Sequence, residues 1–256
     1  MGFPIYPDKH KLAAVLTADQ MIEFRRKQGG LAGTPPPEVV ILCLYKGVMK
    51  NFQLKHRSTR VNGFLGDLYV LHKTRGKIAV MGNFGIGSPV VASLADELIA
   101  WGVQRLVLFS LAGGLQPDLQ SGDLVLGDRA VRDEGASYHY LPPAKYVEAS
   151  PTFVSTISNA LTQRGISHKV GGTWSTDAPY RESREEAVQF QGEGIQAVDM
   201  ESGGLFAVSQ ARGAEAASMF VIGDSLAAPR WAAPPDMRVL HRRLKYMLGV
   251  LIETLG

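Results

Sequence analysis

The sequence predicts an α/β fold in which one sheet carries helices on both faces. Strand-like apolar runs alternate with helix-like amphipathic runs along the whole chain. Several runs, such as "EVVILCLY" and "RLVLFSLAGG", read as buried strands. Strand ends then enter glycine-rich turns, the place where ligands gather in sheets of this kind.

Composition bounds the rest. The 256 residues are 45% hydrophobic and 20% charged, an ordinary globular balance that can bury a full core. Net charge is +3 with Lys and Arg scattered, so no basic run marks a nucleic-acid surface. The single cysteine, Cys43, excludes an internal disulfide framework. "MGFPIYPDKHK" has no signal-peptide core and no apolar stretch is long enough to span a bilayer, so a cytoplasmic setting without membrane contact is expected. No repeat, low-complexity tract or linker interrupts the chain, and residues 1–256 are read as a single domain.

In order, "TADQMIEFRRKQG" has a capping Thr17, helical apolar spacing and a closing Gly. "EVVILCLY" is a strand, and "DLYVLHKTRGKIAVMGNFG" reads as a hairpin. "SPVVASLADELIAWGV" is a helix with Ser88 as N-cap and Pro89 in first position. "RLVLFSLAGG" and "GDLVLGDRAV" are strands. Helix "SPTFVSTISNALTQRG", strand "HKVGGTWST" and helix "SREEAVQFQG" follow. In "GIQAVDMESGGLFAVSQARG" a strand ends at Met200 and a helix begins at Glu201. Strand "AEAASMFVIGD" and a final helix from Pro235 to Leu255 flank the Pro/Ala-rich "AAPRWAAPPD".

Four stretches carry candidate chemistry. "GNFGIGSP" joins a strand to a helix and suits either a tight turn or an anion loop, since small residues admit a ligand and a helix N-terminus favours negative charge. "SLAGGLQPDLQSGD" is a second glycine-rich strand end. "AVRDEGASYHY" concentrates polar and aromatic side chains, suited to a ligand or to an ion-pair network locking a subunit contact, and "STDAPYRES" brings Asp177, Tyr180 and Arg181. Asp199 and Glu201 in "AVDMES" sit where a dipole stabilises carboxylates that can accept hydrogen bonds from a vicinal diol, or where Glu201 simply caps a buried helix.

Together, "AVDMES", "GIGSP", "AGGLQPDLQSGD" and "VRDEGASYHY" closely resemble the nucleoside phosphorylase family, in its uridine phosphorylase-like branch, over nearly the whole chain. The resemblance implies a three-layer α/β/α sandwich around a mixed, partly barrel-like sheet, and a dimer-built homo-oligomer, commonly a hexamer, with shared active sites. It implies a pentosyltransferase of nucleoside salvage. Inorganic phosphate would attack C1′ of a ribonucleoside, uridine-like in preference to purine, with no metal or organic cofactor. It assigns Glu201 to the ribose hydroxyls, with Asp199 beside it and Met200 beneath the sugar, and His10 to a neighbour's 5′-hydroxyl. By the same resemblance Asp224 would protonate the departing base, or else cap the next loop, and Tyr180 and Arg181 would contact the base. Gly85, Ser110 and Arg60 are the phosphate contacts expected.

The phosphate positions depart from the family pattern. "LTADQMI" stands where the family has its Gly-Asp-Pro loop with an arginine, and Ser110-Leu111 stands where relatives carry Gly followed by Ser or Thr. Losing one charge-assisted hydrogen bond costs roughly 1.5–3 kcal/mol, so a phosphorylase, a hydrolytic nucleosidase and a non-catalytic nucleoside binder all stay open at this level.

Overall fold

The computed structural model describes residues 6–31, 33–50 and 52–256. Its first half runs α1 (Ala18–Lys27), β1 (Val39–Cys43), α2 (Lys46–Met49), α3 (Phe52–Lys55), β2 (Ser58–Val61), β3 (Asp67–Leu71), β4 (Ile78–Gly82), α4 (Ser88–Trp101) and β5 (Arg105–Gly114). Then come β6 (Leu124–Asp133), β7 (Tyr146–Glu148), α5 (Pro151–Gln163), β8 (Lys169–Thr176), α6 (Arg184–Gly192), β9 (Ala197–Asp199), α7 (Ser202–Arg212), β10 (Glu215–Ser225) and α8 (Met237–Leu255).

The order β10-β6-β8-β9-β5-β1-β4-β3-β2, with β10 also pairing with β5, makes the sheet mixed and partly closed. Strands β10, β6, β8, β9 and β5 form a ring, and the remaining strands extend from it as an open wing. α1, α4 and α7 pack together on one side, and α2, α5 and α8 form the other layer. β1 is buried at every position because β4 and β5 flank it in parallel, which is why its sequence is unbroken by polar residues. A smaller apolar cluster of Leu115, Val131, Trp174, Ala187, Phe190, Ile195 and Val198 lies under α6.

One topological feature positions the site. β5 pairs with β1 through Phe109 and with β9 from Gly113, while β10 runs along β5 through Ile222. β1 and β9 therefore part at Ser110–Ala112, leaving an opening in the sheet where several strands end.

Several expected boundaries move. Ser88 is the first residue of α4 rather than its cap; Gly87 precedes it with φ 96°, and the Ser88 hydroxyl donates to the Met200 carbonyl instead. β9 ends at Asp199 and α7 begins at Ser202, one residue earlier and one later than expected, because the Asp199 side chain takes the first amides of the turn. α8 starts at Met237, with Asp236 accepting from the Arg238 amide. The short elements α2, α3, β2 and β7 carry too little periodicity to be read from sequence.

Candidate active site

A cavity of about 720 Å³ occupies the opening between β1 and β9. Leu44 and Tyr45 line it after β1, Ser110 to Gly113 from β5, Val198 to Glu201 at the β9–α7 junction, and Asp224 at the end of β10. The rest of the wall includes Tyr180, Glu182 and Arg184 around the start of α6, with Leu226 and Trp231 from the loop before α8.

The β9–α7 junction explains the paired acids. Asp199 Oδ1 accepts from the amides of Glu201 (2.7 Å) and Ser202 (2.8 Å) and from the Ser175 hydroxyl (3.0 Å). Asp199 thus satisfies the free amides that open α7, while its Oδ2 is buried with no partner among the described residues. Glu201, 4% exposed, reaches the glycine-rich loop: its Oε1 accepts from the Gly87 amide at 2.6 Å. Oε2 takes only a long bond, 3.3 Å, from the Met200 amide. Burial, reinforced by the charge of Asp199, raises Glu201 to about 7. Ser88 completes the seam, receiving the Gly204 amide at 3.4 Å. The "GIGSP" and "AVDMES" motifs are thus two halves of one structure.

The opposite group of acids is held by a loop. Asp224 Oδ2 accepts from the indole N–H of Trp231, and backbone bonds between Ser225 and Ala232 close the loop that carries that ring. Arg184 Nη1 donates to the carbonyls of Leu226, Ala227 and Ala228 (3.1–3.4 Å), tying the loop to α6. Glu182 precedes Ser183, whose hydroxyl and amide form a capping box with Glu186. Burial, and then the charges of Asp224, Asp133 and Glu186, push Glu182 up to about 7.

Of the residues expected from sequence, Asp199, Met200, Glu201, Asp224, Tyr180 and Ser110 come together on this cavity. Four do not line it. Arg60 lies on the wing and pairs with Asp67 at 2.5 Å, and Asp67 in turn holds Asn83. Arg181 is exposed, and Tyr180 beside it is 98% exposed. Gly85 lies one residue outside the lining, which Ile86 joins. His10 sits in a short turn whose neighbour Lys9 borders a second cavity. "AVRDEGASYHY" proves to be an internal lock: buried Arg132 bonds Ser137 Oγ and the Pro142 carbonyl and stacks on the Tyr138 ring. Glu182, Arg184 and Trp231 were not singled out: Glu182 lies inside the "STDAPYRES" stretch, Arg184 at the start of the helix "SREEAVQFQG" and Trp231 in the Pro/Ala-rich loop.

Against this geometry, residues 31–241 match the model of the phosphorylase superfamily. The chain belongs to the phosphorylase superfamily. Among curated relatives of this superfamily member, a DeoD-type purine nucleoside phosphorylase of Caldanaerobacter subterraneus subsp. tengcongensis is 29% identical over 154 residues, 59% of this chain and 66% of that one, just under two thirds of its length. The DeoD-type purine nucleoside phosphorylase of Bacillus cereus is 25% identical over 175 residues, 64% of this chain and 74% of the relative. Two solved structures share the fold. An AMP nucleosidase from Bacteroides thetaiotaomicron superposes with a TM-score of 0.71 at 21% identity, covering 93% of this chain and 98% of that one. A uridine phosphorylase from Vibrio fischeri gives 0.72 at 24% identity, covering 87% and 92%.

Proposed function

We propose that this chain cleaves the N-glycosidic bond of a purine-type ribonucleoside, with inorganic phosphate as acceptor and ribose 1-phosphate and free base as products. The observation that carries the proposal is that Glu201 and the Asp224–Glu182 pair stand on the walls of one cavity. Breaking this bond calls for a grip on the sugar and an acid for the departing base, and the two groups of carboxyls suit those tasks.

Glu201 keeps most of the lone-pair capacity of Oε2 free for the 2′- and 3′-hydroxyls, while the Gly87 amide fixes its other oxygen. Hydroxyl donors favour its ionised form and so oppose the burial that raises it. Met200 lies beside it under the sugar, and Asp199 holds the turn that presents both. The uridine-type preference expected from sequence rested on the "VRDEGASYHY" and "DAPYRES" motifs, against a lean toward purine from Asp224. With Arg181 off the cavity and two carboxyls in reach of the base instead, a purine is the better match. The DeoD-type relatives support the same choice.

Phosphate would meet the Ser110 hydroxyl beside Leu111, and its countercharge would come from a neighbouring subunit of a homo-oligomer with shared sites, where His10 could also act. No metal or organic cofactor takes part in the reaction proposed, and nucleoside salvage in the cytoplasm is the setting that fits it. One observation favours a second reading, with water as acceptor. Among the described residues, four carboxyl side chains line the cavity against one cation, Arg184, which is already bonded to carbonyls. Such a lining disfavours a dianion.

The test is release of free base from adenosine, inosine and uridine by the purified protein, with and without phosphate. Release that requires phosphate supports the first reading, and equal release without it supports hydrolysis. Binding of nucleoside with no release under either condition would overturn both.

A further inference from the structure

The two carboxyls near the base have opposite surroundings. Asp224 receives the Trp231 indole N–H on Oδ2. Its Oδ1 looks toward the glycine gap of β5, 3.6 Å from where a Cβ on Gly113 would stand. Glu182 is half-buried on the same wall, and no donor among the described residues bonds its carboxyl. The charges that face it are all acidic: Asp224 from the end of β10, Asp133 from the end of β6, and Glu186 from α6. Arg184, the neighbouring cation, directs Nη1 to the loop carbonyls.

Two carboxyls share one cavity, one engaged by an indole donor and the other without a donor among the described residues, which divides them into an acceptor and a proton donor. We propose that Glu182, rather than Asp224, is the general acid of this site, donating its proton to the departing base while Asp224, engaged by Trp231, accepts a hydrogen bond from that base. Its carboxyl stays protonated up to about pH 7, so the acid form is available under neutral conditions.

The step balances without a further reactant. The C1′–N bond breaks with its electron pair moving onto the base, and the Glu182 proton passes to a basic ring nitrogen of that base. The ribosyl centre takes an oxygen of the acceptor, phosphate or water. The proton that the acceptor releases restores Glu182. The assignment rests on the glycosidic cleavage proposed above and goes beyond it by naming which carboxyl moves the proton.

A leaving-group comparison tests it. Wild type, Glu182→Gln, Glu182→Asp and Asp224→Asn would be assayed on adenosine, inosine and para-nitrophenyl riboside, whose phenolate departs without a proton, with folding checked by melting. Glu182→Gln is expected to lower kcat on the nucleosides on the order of 10²-fold while leaving the nitrophenyl substrate within about 3-fold. Glu182→Asp, which keeps a proton to give, should recover part of the nucleoside rate. The wild-type fall in kcat/KM above about pH 7 should vanish in Glu182→Gln. Equal loss on both substrate types, an unchanged alkaline limb, or this same signature in Asp224→Asn instead would overturn the assignment. Failure of the wild type to cleave any of the three substrates would overturn the glycosidic reading itself, a different result from each of these.

Discussion

The Gly87 amide donates to the Glu201 carboxylate at 2.6 Å, joining two residues more than a hundred positions apart in sequence. That one bond fixes the glycine-rich loop before α4 against the junction before α7, where Glu201 lines the cavity. It requires a backbone with φ 96° and ψ 151° at Gly87, a region that side-chain-bearing residues avoid.

Replacing Gly87 by alanine should therefore strain the loop even though a new Cβ would meet nothing nearer than Pro89 Cδ at 3.7 Å. A cost of about 1–3 kcal/mol is expected. Thermal melting should show it, together with a raised KM for nucleoside as Glu201 loses its tether. An unchanged Tm and KM would mean that the bond positions nothing.

Glu201 should make stability depend on pH. Its carboxyl is raised from 4.5 to about 7 in the folded chain, so the folded state binds this proton more tightly than the unfolded one. The contribution is complete below the unfolded value and is lost as pH rises through 7. At about 1.4 kcal/mol per unit, the loss is on the order of 3 kcal/mol. Urea unfolding of wild type and Glu201→Gln between pH 4 and 8 should show the wild type weakening relative to the variant as pH rises. Parallel curves would refute it.

Asp199→Ala should act mainly on the fold. It strips the amides of Glu201 and Ser202 of their acceptor at the start of α7, a loss worth about 0.5–2 kcal/mol. A Tm lowered by roughly 1–8 °C is expected for a chain of this size. Asp199→Asn, which keeps an acceptor oxygen, should recover most of it.

Leu111→Thr returns a hydroxyl to the cavity wall where an isobutyl group now stands against Gly223. Under phosphate-dependent cleavage the phosphate KM should fall about 10-fold, the value of one charge-assisted hydrogen bond. A KM that stays the same would place phosphate elsewhere in the cavity or remove it from the reaction.

The alternation of apolar runs and helices was legible from residue order alone, because burial imposes its period locally: β1, the β3–β4 hairpin, α5 and the Thr17 cap all lie where sequence places them. The acids before α7 were legible as a candidate site, since two carboxyls in so apolar a stretch need a reason, and both line the cavity. Their division of labour was not. Which of Asp199 and Glu201 caps a helix depends on Ser175 and Gly87, which come from strands and turns far along the chain. Arg60 and Arg181 show the same limit: an arginine near a motif in sequence lies off the cavity when the sheet turns its strand or loop elsewhere, as Asp67 does for Arg60. Trp231 entered the cavity wall through a loop held by long-range carbonyl bonds from Arg184 and Gln191, and Glu182 through its place just before α6. Local periodicity thus determined the elements and the principal motif of this protein. Only the tertiary structure decided partners, because desolvation and hydrogen bonding act through space, and the parting of β1 and β9 along β5 brings those groups to one place.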